Sequence, residues 1–262
     1  ETFGGRQGLT PLWVADMDFA TPDFIVEALK RRCTHPIFGY TFANDAYYES
    51  IISWLEYKYG WRVERPWLTY IPGIVKGIAF ALQCFTEAGD RVIIQPPVYH
   101  PFRLVPEAMG REVVFNPLKL ENERYEMDFE QLEKIIDPRC KVLILSNPHN
   151  PGGIVWSKET LARLADICAK HHILVLSDEI HAEMTFPPFR HHPFASVSDE
   201  AARHSITFMA PSKTFNIAGI VSSYAIVPDD TLRAKFYSFL EAGEFNAGTI
   251  FAYEATTAAY TQ

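Results

Sequence analysis

The stretch Ser205-Ile-Thr-Phe-Met-Ala-Pro-Ser-Lys213-Thr-Phe-Asn-Ile-Ala-Gly219 joins a predicted buried strand to a potentially reactive amine. Its first six residues are mostly apolar, as in strands that are covered on both faces of a sheet. The run breaks at Pro211, and Lys213 follows two residues later. The pattern therefore predicts a strand over residues 205–210 with a lysine at its carboxyl end. The alternative is an ordinary surface lysine in a loop, and the choice between the two interpretations depends on the rest of the chain.

Four further apolar runs have the same character. They cover Arg91–Gln95, Lys141–Ser146, Ile173–Ser177 and Ser222–Val227. Between the second and third runs, apolar residues recur at helical spacing from Ser157 to His171, and Ser157 is a candidate N-cap. Strands that alternate with helices at this spacing predict an α/β fold: a mostly parallel sheet sandwiched by helices.

The residues that directly follow these runs are rich in chemical groups. They are Pro96-Pro-Val-Tyr99-His100, Asn147-Pro-His-Asn150-Pro-Gly-Gly153, Asp178-Glu179-Ile-His181 and Pro211-Ser212-Lys213. In open α/β sheets, ligands bind beyond the carboxyl ends of the strands. We therefore expect these segments to form one site.

Composition narrows the class of partner. The 262 residues include 24 Lys and Arg against 32 Asp and Glu, and the net charge of −8 offers no basic field for nucleic acid or anionic lipid. A small-molecule substrate is the expected partner. The four cysteines are widely separated without a CxxC pair, which favours packing thiols and a cytoplasmic setting. No apolar run reaches the ~18 residues of a spanning helix, no leader is recognisable, and no His, Cys or Asp spacing predicts a metal site.

A lysine at a strand end suits a Schiff base with a carbonyl cofactor, provided that burial or a cationic neighbour lowers its pKa. If that cofactor is pyridoxal phosphate, Asp178 would keep the ring nitrogen protonated, Asn150 and His181 would approach the phenolic oxygen, and Tyr99 would stack on the ring. Each of these residues also has a structural interpretation: a cap or turn aspartate, a turn asparagine, a buried imidazole and a packing tyrosine.

A predicted helix offers a place for the phosphate. Ile74, Ile78, Leu82 and Phe85 mark one apolar face of this helix, which begins after Pro72-Gly73. Free backbone N–H groups in its first turn, at Gly73-Ile74-Val75, together with the helix dipole, would favour an anion.

Together these segments resemble fold-type I pyridoxal-phosphate enzymes of the class I/II aminotransferase superfamily. The segments that carry the resemblance are Asn147-Pro-His-Asn150-Pro-Gly, Ser177-Asp178-Glu-Ile-His181 and Ser212-Lys213-Thr-Phe-Asn-Ile-Ala-Gly219, in the family's order and approximate spacing. More narrowly, Pro11-Leu-Trp-Val-Ala-Asp16-Met-Asp18-Phe, Phe38-Gly39-Tyr40 and Asp178-Glu-Ile-His181 are similar to the C–S lyase branch, which includes cystathionine β-lyases of the MalY/PatB architecture. The resemblance runs across essentially the whole chain.

The resemblance implies roles for individual residues. Lys213 would be the Schiff-base lysine, Asp178 the partner of the pyridinium nitrogen, Asn150 a ligand of the phenolic oxygen and Tyr99 the stacking ring. Tyr40 would reach the phosphate of a neighbouring subunit, which implies a homodimer with shared active sites.

Two features depart from the family pattern. Many aminotransferases carry a phosphate-binding arginine eight residues after the lysine, where this chain has Val221. The difference favours a lyase, with Ser212 and Ser222 as possible substitutes. Relatives also continue into a small domain that supplies an arginine for the substrate carboxylate. We therefore expect residues 1–35 to be a segment that packs on that domain, and residues 36–262 to be the large pyridoxal-phosphate domain, truncated at its C-terminal end.

The predicted reaction is α,β-elimination on cystathionine or a cysteine-type amino acid, giving thiol, pyruvate and ammonia. Lys213 would act as the general base, and Tyr99 would assist the leaving sulfur. Transamination is the first alternative because its early steps are the same. A regulatory or binding protein on the same fold is the second alternative. A nucleotide-binding domain is the third, and it is disfavoured because this sequence contains neither of the two glycine-rich phosphate-binding loops. Asp16 stays open between a role at the substrate entrance and a turn, and Asp18 is expected to be structural.

Overall fold

A computed structural model of the chain describes Gly8 and residues 15–261. Helices and strands alternate through most of this range. The helices are α1 (Asp23–Cys33), α2 (Asp45–Tyr59), α3 (Ile74–Phe85), α4 (Pro101–Ala108), α5 (Phe129–Ile135), α6 (Lys158–Lys170), α7 (Asp199–Arg203), α8 (Asp230–Ala242) and α9 (Ile250–Tyr260). The strands are β1 (Leu68–Ile71), β2 (Arg91–Ile94), β3 (Glu112–Phe115), β4 (Lys119–Glu121), β5 (Arg124–Glu126), β6 (Cys140–Ser146), β7 (Leu174–Asp178), β8 (Ser205–Met209) and β9 (Ser223–Ile226).

Seven of these strands form one sheet in the order β1-β9-β8-β7-β6-β2-β3. Neighbours from β8 to β3 run parallel, whereas β9 is antiparallel to both β8 and β1. The predicted α/β fold with a mostly parallel sheet is therefore confirmed. The five apolar runs correspond to β2, β6, β7, β8 and β9. The four-residue strands β1 and β3 were not predicted, because such short runs carry little pattern of their own.

Side-chain alternation along β7 separates the two faces of the sheet. Leu174 and Leu176 pack into the apolar cluster beneath α3 and α8, whereas Val175 packs into the cluster beneath α6. Successive side chains of a strand point to opposite faces. The same alternation directs Asp178 to the α3 face and Ser177 to the α6 face, and this division positions the site.

A third cluster, which contains many aromatic residues, joins α1, α2 and α9 to the outer strands. Within it, Trp54 stacks on Tyr260 with ring centroids 4.9 Å apart, and Phe215 packs against both rings. Since Phe215 lies two residues after Lys213, the cluster anchors the loop that carries the lysine.

Helix α3 begins differently from most of the longer helices. In α2, α6, α8 and α9 the N-cap side chain accepts a hydrogen bond from the first turn. The N-cap of α3 is Gly73, which has φ of 109° and no side chain to accept one. The first-turn N–H groups of α3 are therefore left for another acceptor.

Two predictions concern residues near the ends of the chain. The segment predicted over residues 1–35 lies partly outside the described residues, as does the Pro11–Val14 part of its motif, and the predicted domain division stays a prediction. Within residues 15–261, none of the helices combines the length and apolar character needed to cross a bilayer.

Candidate active site

A cavity of about 490 Å³ opens at the carboxyl ends of β2, β6, β7 and β8, next to the start of α3. This volume falls within the usual range for small-molecule sites. The side chains that line it come from six separate segments: Ala15, Ile74, Val75, Tyr99, His100, Ser146, Asn150, Asp178, Ile180, His181 and Lys213. The structure thus brings together seven of the residues predicted from sequence, at the edge where the strand ends predicted a site.

Lys213 lies in the loop after β8, and its side chain is 20% exposed. Two backbone hydrogen bonds close this loop, from Phe215 N to the carbonyl of Pro211 and from Ile217 N to that of Ser212. Lys213 Nζ lies 4.0 Å from Asp16 Oδ1. The amine is thereby held in a fixed turn, and a carboxylate from a distant part of the chain stands beside it.

Asn216 holds that distant segment in place. Its side-chain amide donates to the carbonyls of Met17 at 2.9 Å and Phe19 at 2.8 Å, and its Oδ1 accepts from Met17 N at 3.2 Å. Thr21 Oγ1 also donates to the Asn216 carbonyl. These contacts bring the Asp16 carboxylate beside Lys213, although neither Asp16 nor Asp18 is among the lining residues of the cavity.

Asp178 is only 8% exposed and faces the cavity from the end of β7. It pairs in register with Ser146 of β6 and Phe208 of β8. Its Oδ1 accepts a hydrogen bond from Ile180 N at 3.1 Å. Burial, with a smaller contribution from the charge of Glu179, raises the pKa of the carboxyl to about 7 even though that hydrogen bond opposes the shift. A positively charged N–H group in the cavity would therefore stabilise the ionised form of this carboxylate through a charge-assisted hydrogen bond.

This raised pKa predicts a pH-dependent stability in the cofactor-free protein. From about pH 4 to about pH 7 the unfolded chain carries an ionised Asp178 while the folded chain keeps the proton, so the contribution of Asp178 to the free energy of unfolding falls as pH rises. The slope approaches 1.4 kcal/mol per pH unit, which gives about 4 kcal/mol over the window. Urea unfolding of wild type and Asp178→Asn should diverge over this range, with the variant gaining relative stability. Asp166→Asn, at an exposed position of α6, is the control, and parallel curves for wild type and Asp178→Asn would contradict the prediction.

Asn150 and Tyr99 are joined through the backbone. Tyr99 N donates to the Asn150 carbonyl at 3.1 Å, and Asn150 N donates to Ser146 Oγ at 2.9 Å. Tyr99 packs edge-on against Phe102, with ring centroids 5.9 Å apart, and is 36% exposed. The loops after β2 and β6 are therefore hydrogen-bonded to each other, and this places the tyrosine ring and the asparagine amide beside the same cavity.

His181 lines the cavity beside Lys213. Burial lowers the pKa of its imidazole, and the positive charge of Lys213 lowers it further. At neutral pH the ring is therefore expected to be uncharged, with one nitrogen able to donate a hydrogen bond and the other able to accept one.

The start of α3 forms one wall of the cavity. Ile74 and Val75 line it, and the first intrahelical N–H bond at this end runs from Gly77 N to the Gly73 carbonyl. A Cβ at Gly73 would meet no atom within 4 Å, so the backbone there is open to close approach by a ligand. Backbone N–H groups at a helix N-terminus favour phosphate.

Several other residues considered at the sequence level, including Gly73, lie outside the cavity lining. Ser212 is buried next to Lys213. Ser222 is buried and directs its hydroxyl to Thr256 and the Ala252 carbonyl of α9. Tyr40 is fully exposed, in a groove formed with residues 247–251. Val221, in place of the family's arginine, has φ of 57° and its carbonyl accepts from the Tyr70 hydroxyl at 2.8 Å.

The cavity also contains residues that the sequence analysis did not select. Ala15, His100, Ser146 and Ile180 line it. Ser146 and His100 stand at or just after strand ends, so the strand-end rule contains the signal for both. Ala15 carries no such signal because it arrives from a segment that Asn216 holds in place.

The geometry can now be set against known proteins. A family model described as aminotransferase class I and II matches residues 8–259. The chain belongs to this family. Cystathionine beta-lyase PatB of Bacillus subtilis (strain 168) is 45% identical over 263 residues, a match that covers 100% of this chain and 68% of that protein. Protein MalY of Escherichia coli (strain K12) is 31% identical, with 98% of this chain and 66% of MalY covered.

Solved structures agree with this placement within the class I and II aminotransferase family. Cystalysin from Treponema denticola, whose crystal structure contains a pyridoxal 5'-phosphate cofactor, superimposes with a TM-score of 0.93 at 34% identity. The match covers 97% of this chain and 65% of cystalysin. The chain thus spans about two thirds of the length of these relatives. The resemblance to the C–S lyase branch inferred from sequence is confirmed.

Proposed function

We propose that this chain is the cofactor-binding part of a pyridoxal-phosphate-dependent C–S lyase that cleaves cystathionine or related cysteine-type amino acids. One observation carries the proposal: the Lys213 amine, the buried Asp178 carboxylate and the open start of α3 face the same cavity. These three groups would bind, respectively, the carbonyl carbon, the ring nitrogen and the phosphate of pyridoxal phosphate. The relatives named as cystathionine beta-lyases support the reaction type.

The donor set fits pyridoxal phosphate residue by residue. Asp178 is buried with one oxygen held by Ile180 N, and a carboxyl whose pKa is raised by burial gains most from a cationic N–H partner. Asn150 offers an amide to the phenolic oxygen, and Tyr99 offers a ring face. The N–H groups of Ile74 and Val75 would hold the phosphate without a charged side chain.

The reaction then follows from where these side chains lie. When bound, pyridoxal phosphate supplies an electron sink that stabilises negative charge at the Cα of the substrate. Lys213 would hold the cofactor through its carbonyl group, and the freed lysine amine would be the base that takes the Cα proton of the substrate. Asp178 would keep a proton at the ring nitrogen. Tyr99 lines the cavity and is 36% exposed, and its hydroxyl would donate a proton to the departing thiolate. Loss of the thiol would leave 2-aminoacrylate, and hydrolysis of its imine tautomer would give pyruvate and ammonia.

Transamination is the second candidate function. It shares the Cα deprotonation by Lys213, and the family includes aminotransferases. Val221 favours the lyase, because its side chain gives the cavity no counterpart to the phosphate-binding arginine that many aminotransferases carry at this position. The regulatory or binding role remains a prediction.

Assembly and cellular setting belong to the same proposal. Tyr40, Phe38 and Phe42 are exposed on one segment, and Phe251 packs against Phe38 at the adjoining groove. An exposed aromatic surface of this kind suits a subunit interface. We propose a homodimer in which Tyr40 reaches the partner's phosphate site. The four cysteines, all within the described residues, are free thiols, which suits a cytoplasmic enzyme.

The full-length protein tests the reaction directly. Incubated with L-cystathionine and no added keto acid, it should release thiol and pyruvate in equal amounts over many turnovers. A visible absorption band should disappear on borohydride reduction, with the cofactor's mass retained on the peptide that contains Lys213. Turnover that stops after one equivalent and resumes only when a keto acid is added would identify an aminotransferase instead.

A further inference from the structure

A second buried polar cluster lies on the opposite face of β7 from the cavity. Its centre is Glu179, which follows Asp178 and is 0% exposed. Glu179 Oε2 lies 2.7 Å from His191 Nε2, and the His191 side chain is 1% exposed. The ring of Tyr59 packs edge-on against His191, with ring centroids 5.2 Å apart. Neither Glu179 nor His191 lines the cavity.

The other carboxylate oxygen of Glu179 collects three more donors. Glu179 Oε1 accepts from Ser177 Oγ at 2.8 Å, from Phe194 N at 2.8 Å and from Asn147 Nδ2 at 3.4 Å. Burying a carboxylate is costly unless hydrogen bonds and a charge partner replace its water. Here the donors come from three separate segments, so the carboxylate is satisfied only when all three occupy their native positions.

Each of these segments leads into the cavity. Ser177 precedes Asp178 on β7. Asn147 begins the turn that carries Asn150, and its backbone N donates to the Asp178 carbonyl at 2.9 Å. The stretch from His191 to Phe194 ends the loop that starts after His181. A single buried carboxylate therefore connects the backbones that present Asp178, Asn150 and His181.

We propose that Glu179 is a positioning residue, with His191 as its partner, and that the pair sets Asp178 and Asn150 at the spacing that pyridoxal phosphate requires. The inference rests on the proposed function, since it assigns this cluster to the same cofactor site. Outer residues that orient a binding group commonly affect affinity as strongly as some direct contacts.

Two variants of His191 separate positioning from general stability. His191→Gln keeps an N–H donor at nearly the same distance from the backbone as Nε2, whereas His191→Leu removes it and leaves Glu179 Oε2 without that partner. The measurement is the dissociation constant of the cofactor-free protein for pyridoxal phosphate, by quenching of intrinsic fluorescence, together with the absorption maximum of the bound form. We expect His191→Leu to weaken binding on the order of 10-fold and to shift the maximum, and His191→Gln to stay close to wild type.

Thr86→Val is the matched stability control. Thr86 is buried at the far end of α3, about 18 Å along the helix axis from its start, and accepts from Arg111 Nε at 2.9 Å. The Thr86→Val substitution should lower the melting temperature without changing the dissociation constant for pyridoxal phosphate. If Thr86→Val weakened cofactor binding as much as His191→Leu at equal loss of stability, or if the two His191 variants bound the cofactor alike, the inference would be overturned.

Ser177→Ala covers the case in which His191→Leu fails to fold. It removes one neutral donor to Glu179 and should weaken cofactor binding by roughly 3-fold, the effect of one hydrogen bond. An unchanged dissociation constant in Ser177→Ala, with His191→Leu unfolded, would also overturn the inference. Failure of the wild-type protein to bind pyridoxal phosphate would instead remove the proposed function on which it rests.

Discussion

Replacing Lys213 by alanine is expected to lower the rate of thiol release by at least about 10³- to 10⁴-fold, the upper range for loss of a positioned base. The methyl group can neither bind the cofactor's carbonyl carbon nor take the proton from Cα. Removal of the lysine side chain leaves space in the cavity, so the protein should still fold and should still bind pyridoxal phosphate reversibly. Pyruvate release at saturating L-cystathionine measures the loss, and borohydride should no longer fix the cofactor to the protein.

Lys170→Ala is the control for this experiment. Lys170 lies at the end of α6, pairs with Glu133 at the surface and does not line the cavity. Such exposed pairs contribute little to stability. The control should retain wild-type rates. Substantial thiol release by Lys213→Ala, or borohydride labelling at another lysine, would show that Lys213 does not have the proposed role.

The second large effect is expected from Asp178→Asn. The amide has nearly the same shape but no negative charge, so it cannot hold a proton at the ring nitrogen through a charge-assisted hydrogen bond. Negative charge at Cα then loses much of its stabilisation. We expect a fall in kcat of about 10²- to 10³-fold, comparable with removal of one electrostatic contact that acts on developing charge.

The readouts for Asp178→Asn distinguish charge from packing. The cofactor should bind more weakly and its absorption should change, while the cofactor-free variant should be no less stable than wild type at neutral pH, because a costly buried carboxyl has been removed. Asp166→Asn on α6 should behave as wild type in every assay. If Asp178→Asn kept full kcat, the carboxylate would not be the partner of the ring nitrogen.

Most of the fold was predictable from local pattern. The runs that became β2, β6, β7, β8 and β9 are mostly apolar because both faces of a central strand are covered, and this leaves a signal in the sequence itself. The strands β1 and β3 escaped prediction because four residues at the edge of a sheet carry little pattern. The antiparallel direction of β9 depended on its pairing with β1, which no local pattern encodes.

The residues of the candidate site likewise include some that the sequence revealed and others that it did not. Tyr99, Asn150, Asp178 and Lys213 were found from sequence because each follows a strand, and the carboxyl ends of parallel strands meet at one edge. The motif that contains Asp178 also contains Glu179, yet no role was predicted for Glu179. Its partner His191 belongs to a loop without periodicity, where a histidine is ordinarily solvated or packed.

By itself the sequence determined the order of the strands along the chain, the residues at their carboxyl ends and the family to which the chain belongs, because each of these depends on residues close together in sequence. Only the tertiary structure decided which distant groups meet. Asn216 bonds Met17 across 199 positions, Glu179 bonds Asn147 across 32, and Ser222 turns to Thr256 instead of the cavity. Such contacts are selected by the packing of whole elements against one another, and a hydrogen-bonding side chain carries no sign in sequence of which partner it will find.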